Sequence, residues 1–394
     1  MTPKRIAILG DGGWGTAIAV LLDGHGHDVV VWGHDPGYLR QVAERRENVT
    51  FLPGIPLPAG IGFEPDMGAA VGQADVVVSA IPTQYLRGAL APLAGRSGTV
   101  TADANGMRIP DPMNSMDETN GAAVRKNAST EVGIGGMRAS GGAVGSADAP
   151  GASATAIPCP VLSLTKGIER ETLARPSAIL AEELGLAPDR IAVLSGPSHA
   201  EEVAKGLPAS VTIAAADAAL ASTLQEVFMG PTFRVYTSTD LTGVELGGAL
   251  KNVIAVAVGI CEGLRLGDNA RAALMTRGLA ELTRLGVAAG GRPETFAGLS
   301  GMGDLITTCV SPHGRNRAVG LALAEGKAPD AIAAGTAQVA EGVHSCRSAL
   351  ALAKRYGVDL PIAETLGRVL HDGLDPRQAV HELMTRDGKA ETVG

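Results

Sequence analysis

The chain has 394 residues, 45% of them hydrophobic, and a formal net charge of -8 at pH 7. That length exceeds the roughly 250–300 residues at which single cores stop growing, so two packed domains are expected. The acidic balance, with no block of like charge, argues against nucleic acid as a partner, and the four cysteines, Cys159, Cys261, Cys309 and Cys346, lie too far apart to suggest a metal site or a disulfide framework and read as buried small apolar residues.

The opening "MTPKRIAILGDGG" runs from a short apolar stretch directly into glycine, with no small-residue cleavage site, so no signal peptide is read. "RIAILG" predicts a strand ending at Gly10, "WGTAIAVLLDGHG" a helix closed by glycine, and "DVVVWGHD" a second strand, which together make a βαβ unit. Gly10, Gly12 and Gly15, with Gly13 and Trp14 between them, fall on the G-x-G-x-x-G spacing. The first glycine permits the tight turn, the second lets a pyrophosphate approach the main chain, and the third allows close helix-to-strand packing. The phosphates would then lie at a helix N-terminus, where unpaired N–H groups and the dipole favour anions. A dinucleotide is the expected ligand, and the motif does not separate nicotinamide from flavin cofactors. The acidic residue that binds an adenosine ribose at the end of the second strand is not evident, because Trp32, Gly33 and His34 precede Asp35. His34 near a 2′-phosphate leaves NADP open beside NAD; the alternative is a solvated loop histidine.

The alternation continues with "ADVVVSAIP" at 74–82, "CPVLSLTKG" at 159–167, "RIAVLSGPS" at 190–198 and "ASVTIAAA" at 209–216, and "FRVYTSTD" at 233–240 reads as the last strand. Near-continuous apolar runs fit strands covered on both faces, as in a doubly wound sheet. The segment Thr101–Pro158 is rich in Gly, Ala, Ser, Asn and Asp and has no sustained periodicity. Such a composition buries too little apolar surface to offset its ordering entropy, so 101–158 is expected to be a disordered insertion; a binding tail or lid is the alternative. Lys166 follows a predicted strand at the end where open parallel sheets bind ligands, and Gly196, Pro197 and Ser198 do so one strand later, with Glu201 and Glu202 starting a helix. Singly, each lysine or serine also reads as an ordinary surface residue.

From Leu241 long helical patterns take over. In "GALKNVIAVAVG" Lys251 and Asn252 interrupt an apolar, small-residue pattern. A lysine in such surroundings has its charged form disfavoured, which suits proton transfer and makes Lys251 the candidate general base; a lysine extending its stem to solvent is the other reading. "NVIAVAVGICEGL" is broken by Gly259 and Glu262, short of the roughly 18 apolar residues of a membrane span, so stable membrane insertion is not expected and a cytoplasmic location is the default. "GLSGMGDLITTC" carries Asp304 in a glycine-flanked turn, and "SPHGRNRAVG" brings Arg315, Asn316 and Arg317 into a helix N-terminus. Guanidinium makes two parallel hydrogen bonds to phosphate, which favours a phosphorylated small-molecule substrate; taken as a lone cluster, these residues read more often as a solvated helix cap.

In this order, "GDGGWGTAIA", "WGHD", "LTKGIE", "LSGPSHAEEVA", "GVELGGALKNVIAVAVGICEGL", "GDNARAALMTRGLAEL", "GMGDL", "GRNR" and "VAEGV" resemble the NAD(P)-dependent glycerol-3-phosphate dehydrogenases of bacterial type, over essentially everything except 101–158. The independent reading of an α/β sheet domain over 1–240 followed by a helical domain over 241–394 agrees with that family's fold, a Rossmann-type dinucleotide-binding domain and an all-helical C-terminal domain. The resemblance implies interconversion of dihydroxyacetone phosphate and sn-glycerol 3-phosphate with NAD or NADP, supplying phospholipid synthesis. It also implies Lys251 as the base, with Lys166, Gly196, Ser198, Asp304, Gly314, Arg315 and Asn316 around the substrate. The cofactor would meet Gly13, Trp14, His34, Lys166, Ala200, Arg315, Val339 and Glu341.

Two departures stand out. Gly314 occupies the position where such enzymes usually carry serine, which removes one hydroxyl from the phosphate site while its backbone N–H is expected to remain. The long insertion also enters just before the strand that delivers Lys166. The rivals are a dehydrogenase of sugar acids or hydroxyacyl thioesters on the same architecture and a non-catalytic nucleotide-sensing or scaffold protein. "GRNR", "LTKGIE" and Lys251 speak against them. The helical domain permits a homodimer.

Overall fold

The computed structural model describes residues 2–93, 157–311, 314–329, 332, 341–388 and 390–391. The expected disordered insertion lies outside the described residues except for Ile157 and Pro158, of which Ile157 is buried.

The first βαβ unit forms as its apolar pattern predicts. β1 (Arg5–Leu9) turns through the glycines into α1 (Gly13–Gly24), and the chain returns as β2 (Asp28–Trp32), parallel to β1 with Ile8 opposite Val31. After α2 (Pro36–Arg45), β3 (Glu47–Asn48) and β4 (Leu52–Pro56) make a separate antiparallel pair. The main sheet continues with β5 (Gly62–Phe63), α3 (Met67–Val71), β6 (Val76–Ser79), α4 (Thr83–Leu90), β7 (Val161–Ser163) and α5 (Pro176–Leu184). It ends with β8 (Ile191–Ser195), α6 (Ala200–Ala204), β9 (Ala209–Ala215), α7 (Ala218–Phe228) and β10 (Phe233–Ser238). Eight strands lie in the order β10-β9-β8-β7-β6-β1-β2-β5.

Successive residues of a strand point to opposite faces, and both faces are covered. Ile6, Ile8, Val29, Val31 and Val78 pack with Ile18 and Leu22 of α1 and Phe228 of α7. Ala7, Leu9, Val30 and Val77 pack on the other side with Leu86 and Leu90 of α4 and Ile179 and Leu180 of α5. β9 departs from the parallel arrangement: it runs antiparallel to β8, with Leu194 opposite Ile213, and β10 follows it. Its connection explains the reversal, because the link from Ser195 carries only the five-residue α6, which packs against α1 instead of crossing the sheet.

Beyond Ser238 the described residues contain helices and no strand. They are α8 (Leu241–Gly263), α9 (Gly267–Ala288), α10 (Pro293–Ala297), a π-helical turn (Leu299–Gly303), α11 (Asp304–Val310), α12 (Arg315–Ala324), α13 (Glu341–Tyr356), α14 (Pro361–His371) and α15 (Pro376–Met384). Asp240 starts α8: Oδ1 accepts from Gly243 N (2.9 Å), and Oδ2 accepts from Arg292 N (2.8 Å) and Thr295 Oγ1 (2.6 Å).

α8 corrects one expectation. It runs unbroken through Gly259 and Glu262, and by length and composition it is apolar enough to cross a membrane, but nearly all of it is buried inside the protein as the central helix of the second half. Gly259 does not interrupt it because α12 crosses there: a Cβ on Gly320 would sit 2.7 Å from Gly259 Cα, so two glycines let the backbones touch. Glu262 turns outward to Arg317, which donates from Nε at 2.7 Å. The four cysteines are free and buried, as read from their spacing, and burial pushes the thiols of Cys309 and Cys346 up to about 12.

Candidate active site

The glycine turn is shaped for an anion. Gly10 adopts a φ of 123°, a Cβ on Gly15 would overlap Gly10 O, and the space above Gly12 is open, with nothing within 4 Å of a Cβ there. α1 begins with no side-chain cap, which leaves its first amides to an external acceptor. Trp14 packs half-buried beside Leu52 and Ile55. The residues fit a dinucleotide at this turn, and the buried Asp11 Oδ2 in the same turn has no hydrogen-bond partner. His34 is exposed just past β2.

The second group assembles at the carboxyl ends of β7 and β8. Lys166 Nζ donates to Gly196 O (3.4 Å) and Ser198 Oγ donates to the same carbonyl (3.0 Å), so one main-chain oxygen gathers both predicted residues. Ala200 is the first residue of α6. Lys166 also lines a small cleft with Thr83, Gln84, Arg170, His344 and Ser345.

Asp304 joins this edge to the helices. Its Oδ2 accepts from Lys166 Nζ at 2.7 Å, and its Oδ1 accepts from Lys251 Nζ. Lys251 Nζ also donates to Thr308 Oγ1 (2.7 Å), and Thr308 Oγ1 donates in turn to Asp304 O (2.7 Å). Asp304 and Thr308 lie four residues apart and share one face of α11, which is why both reach α8. Burial alone would raise the Asp304 carboxyl, but the two ammonium groups outweigh it and hold the group below the ordinary carboxylate range. The surroundings of Lys251 are therefore not the apolar ones expected from α8 alone; the carboxylate and hydroxyl come from α11, a helix 53 residues further along the chain.

The residues proposed for the phosphate are less uniform. Arg315 is exposed at the first position of α12. Asn316 is buried: its Nδ2 donates to Asn252 Oδ1 (2.9 Å), and its Oδ1 accepts from Gly342 N (2.9 Å), so its amide ties α8, α12 and α13 together. Gly314 corrects an expectation. Its backbone N–H, thought to remain for the phosphate, donates to Ser311 O at 3.1 Å. A Cβ there would stand 2.8 Å from Thr308 O, so this turn is built around glycine and a serine would require the backbone to shift. Glu341 begins α13, and Val339 lies outside the described residues.

Two residues escaped the sequence reading. Thr308 looked like an ordinary helix threonine, and only its spacing of four from Asp304 hinted at a shared face. His199 sits between Ser198 and Ala200 with Nε2 buried and unpartnered. Burial first, and the charge of Lys251 second, lower its pKa, so the imidazole is held neutral. Among the described residues no group of three or more His, Cys, Asp or Glu side chains is arranged to hold a metal ion.

Comparison with known proteins shows the family. The model of the NAD-dependent glycerol-3-phosphate dehydrogenase N-terminus matches residues 5–105 and 152–221, and that of the C-terminus matches 240–381. The chain belongs to this family. Glycerol-3-phosphate dehydrogenase [NAD(P)+] of Nitratidesulfovibrio vulgaris is 44% identical over 388 residues, covering 98% of this chain and 100% of the relative. The corresponding protein of Ralstonia nicotianae is 44% identical over 396 residues, covering 99% of each. The crystal structure of glycerol-3-phosphate dehydrogenase from Coxiella burnetii superposes with a TM-score of 0.77 at 32% identity, over 98% of this chain and 99% of that one. The N-terminal family match skips 106–151, most of the segment that the composition set apart.

Proposed function

We propose that this chain interconverts dihydroxyacetone phosphate and sn-glycerol 3-phosphate with NAD(H) or NADP(H), providing the backbone for phospholipid synthesis. The observation that carries the reading is the single carboxylate of Asp304 held between Lys251 and Lys166 where β7, β8 and α8 meet. When bound at the glycine turn, the nicotinamide cofactor supplies or accepts the hydride at the C2 carbon of the substrate.

The side chains do the rest. Lys251 Nζ donates a proton to the C2 oxygen as the carbonyl is reduced, and neutral Lys251 takes the C2 hydroxyl proton in the reverse direction. Asp304 and Thr308 fix the direction of that nitrogen through the bonds described above. Lys166, anchored on Gly196 O, adds positive charge beside the reacting oxygen. Arg315, exposed at the start of α12, reaches for the phosphate together with the uncapped amides of that helix, and holding a group remote from C2 orients the reacting carbon. The reading includes a cytoplasmic location; α8, which by length and composition is apolar enough to cross a membrane, is buried inside the protein.

The test is loss of absorbance at 340 nm with dihydroxyacetone phosphate, run in parallel with NADH and NADPH. Substrate-dependent oxidation of either cofactor is expected. Retained cofactor binding with no turnover on this substrate, but turnover on a sugar acid or hydroxyacyl thioester, would replace the reading.

A further inference from the structure

The end of β2 lacks the acidic residue that an adenosine ribose calls for, and each neighbouring candidate is otherwise engaged. Trp32 is buried, and its Nε1 donates to Pro65 O (3.1 Å). Asp35 Oδ1 accepts from Gly37 N (2.7 Å) and Tyr38 N (3.2 Å) as the cap of α2. Position 33 is glycine, although its backbone lies outside the left-handed region and no conformational demand excludes a side chain.

What excludes a side chain there is Asp11. A Cβ on Gly33 would lie 2.5 Å from Asp11 Cγ and nearer still to Oδ2. The carboxylate thus reaches from the glycine turn across to the end of β2 and fills the room that a residue 33 side chain would enter. Its Oδ2 is buried with no hydrogen-bond partner. Its own main chain is pinned, because Asn48 Nδ2 donates to Asp11 O (2.8 Å) and to Thr16 Oγ1 (2.8 Å), while Tyr38 Oη donates to Asn48 Oδ1 (2.6 Å). Burial pushes the Asp11 carboxyl above the ordinary range and Asp35 adds to this, against the pull of the residue's own amide and of His34. A buried carboxylate oxygen with no donor is costly to keep and calls for one.

We propose that Asp11 selects the dinucleotide: its carboxylate accepts from the adenosine ribose hydroxyls in place of the acidic residue missing from β2, so that this chain binds NAD(H) in preference to NADP(H). The inference rests on the dinucleotide site of the proposed function. A 2′-hydroxyl can donate to the accessible side of this carboxylate, whereas a 2′-phosphate brings negative charge against it.

The test is calorimetric titration of the full-length protein with NADH and with NADPH, without substrate, so that affinity is read apart from turnover and the fitted stoichiometry counts folded protein only. The wild type is expected to bind NADH more tightly, and Asp11→Asn to weaken NADH about tenfold while leaving NADPH equal or tighter. Gly33→Asp alone is expected to bind neither well, because its side chain meets the Asp11 carboxylate. The double variant Asp11→Ser with Gly33→Asp is expected to recover the NADH preference from the other side of the crevice. An unchanged ratio of the two affinities in Asp11→Asn, or tighter NADPH binding by the wild type, would overturn the assignment. A wild type that binds neither dinucleotide would instead remove the site itself, and the assignment with it.

Discussion

Asp304 offers one oxygen to each of two ammonium groups, and its replacement separates two roles that the native residue combines. Asp304→Asn keeps the shape but leaves Lys166 and Lys251 facing a neutral amide; breaking such a buried pair costs about 3–5 kcal/mol. The variant is expected to melt earlier and to lose turnover, as read by thermal melts and initial rates. Because the folded carboxyl titrates below its ordinary 3.8, its contribution is present above that pH and is lost as the pH falls through the folded value. Lys251→Ala removes the proton donor together with one of the two cations on Asp304, and leaves Lys166 as the partner of that carboxylate. It is expected to lower kcat by about 10²–10⁴-fold while the affinity for cofactor, measured by titration, stays near that of the wild type. Near-normal turnover would remove Lys251 from the proton transfer. Lys251 was legible from its helix, as a charge among small apolar residues. Its partners were not, because nothing local to a helix indicates a carboxylate arriving from another element, and Asp11 was hidden in a turn position that tolerates most residue types.

At the scale of elements, α14 is docked by a buried acid. Glu281 on α9 accepts from Ile362 N (2.7 Å) and Ala363 N (3.2 Å), the first-turn amides of α14. Burial raises this carboxyl to about 7, against the pull of those two amides and of Arg284. Over the interval in which the unfolded chain has lost this proton and the folded chain still holds it, stability falls as the pH rises, from about 4.5 to about 7, by up to about 3 kcal/mol. Urea midpoints measured across that interval should decline for the wild type, and Glu281→Gln should flatten the decline. In sequence Glu281 looks like any exposed helical glutamate, since its burial depends on where α14 lands. The strands and long helices were readable because β-branched runs and helical spacing are local properties. The reversal of β9 was not, for an apolar run covered on both faces reads the same in either direction. α8 was underread for a similar reason: Gly259 marks a crossing point with α12 and not an end.

For the whole molecule, the second half is set by how closely α12 lies on α8. Gly320 is four residues beyond Asn316, so a side chain at 320 both separates the helices and draws Asn316 away from Asn252, 2.9 Å distant. Gly320→Val is therefore expected to cost about 1–3 kcal/mol, as overpacking does, and to lower activity and thermal stability together. Full stability with normal activity would mean that the two helices have room to part. The sheet domain is tied to α8 by Glu245, which accepts from Arg175 and from Ser177 N (2.8 Å) and Ser177 Oγ (2.6 Å), so a shift of α8 is felt on both sides of the crevice. The two-lysine clamp on Asp304 has one more consequence. Two cations on one anion leave a surplus of positive charge in a chain whose total is -8. A doubly charged phosphate ester is thus repelled by the bulk of the surface and drawn in at one point. Added salt screens both effects, but the attraction acts at shorter range and in lower dielectric, where screening reaches least. Raising ionic strength should therefore change KM for the phosphorylated substrate far more than kcat, and the sign of that change tells which field governs the approach: a falling KM the surface, a rising KM the crevice.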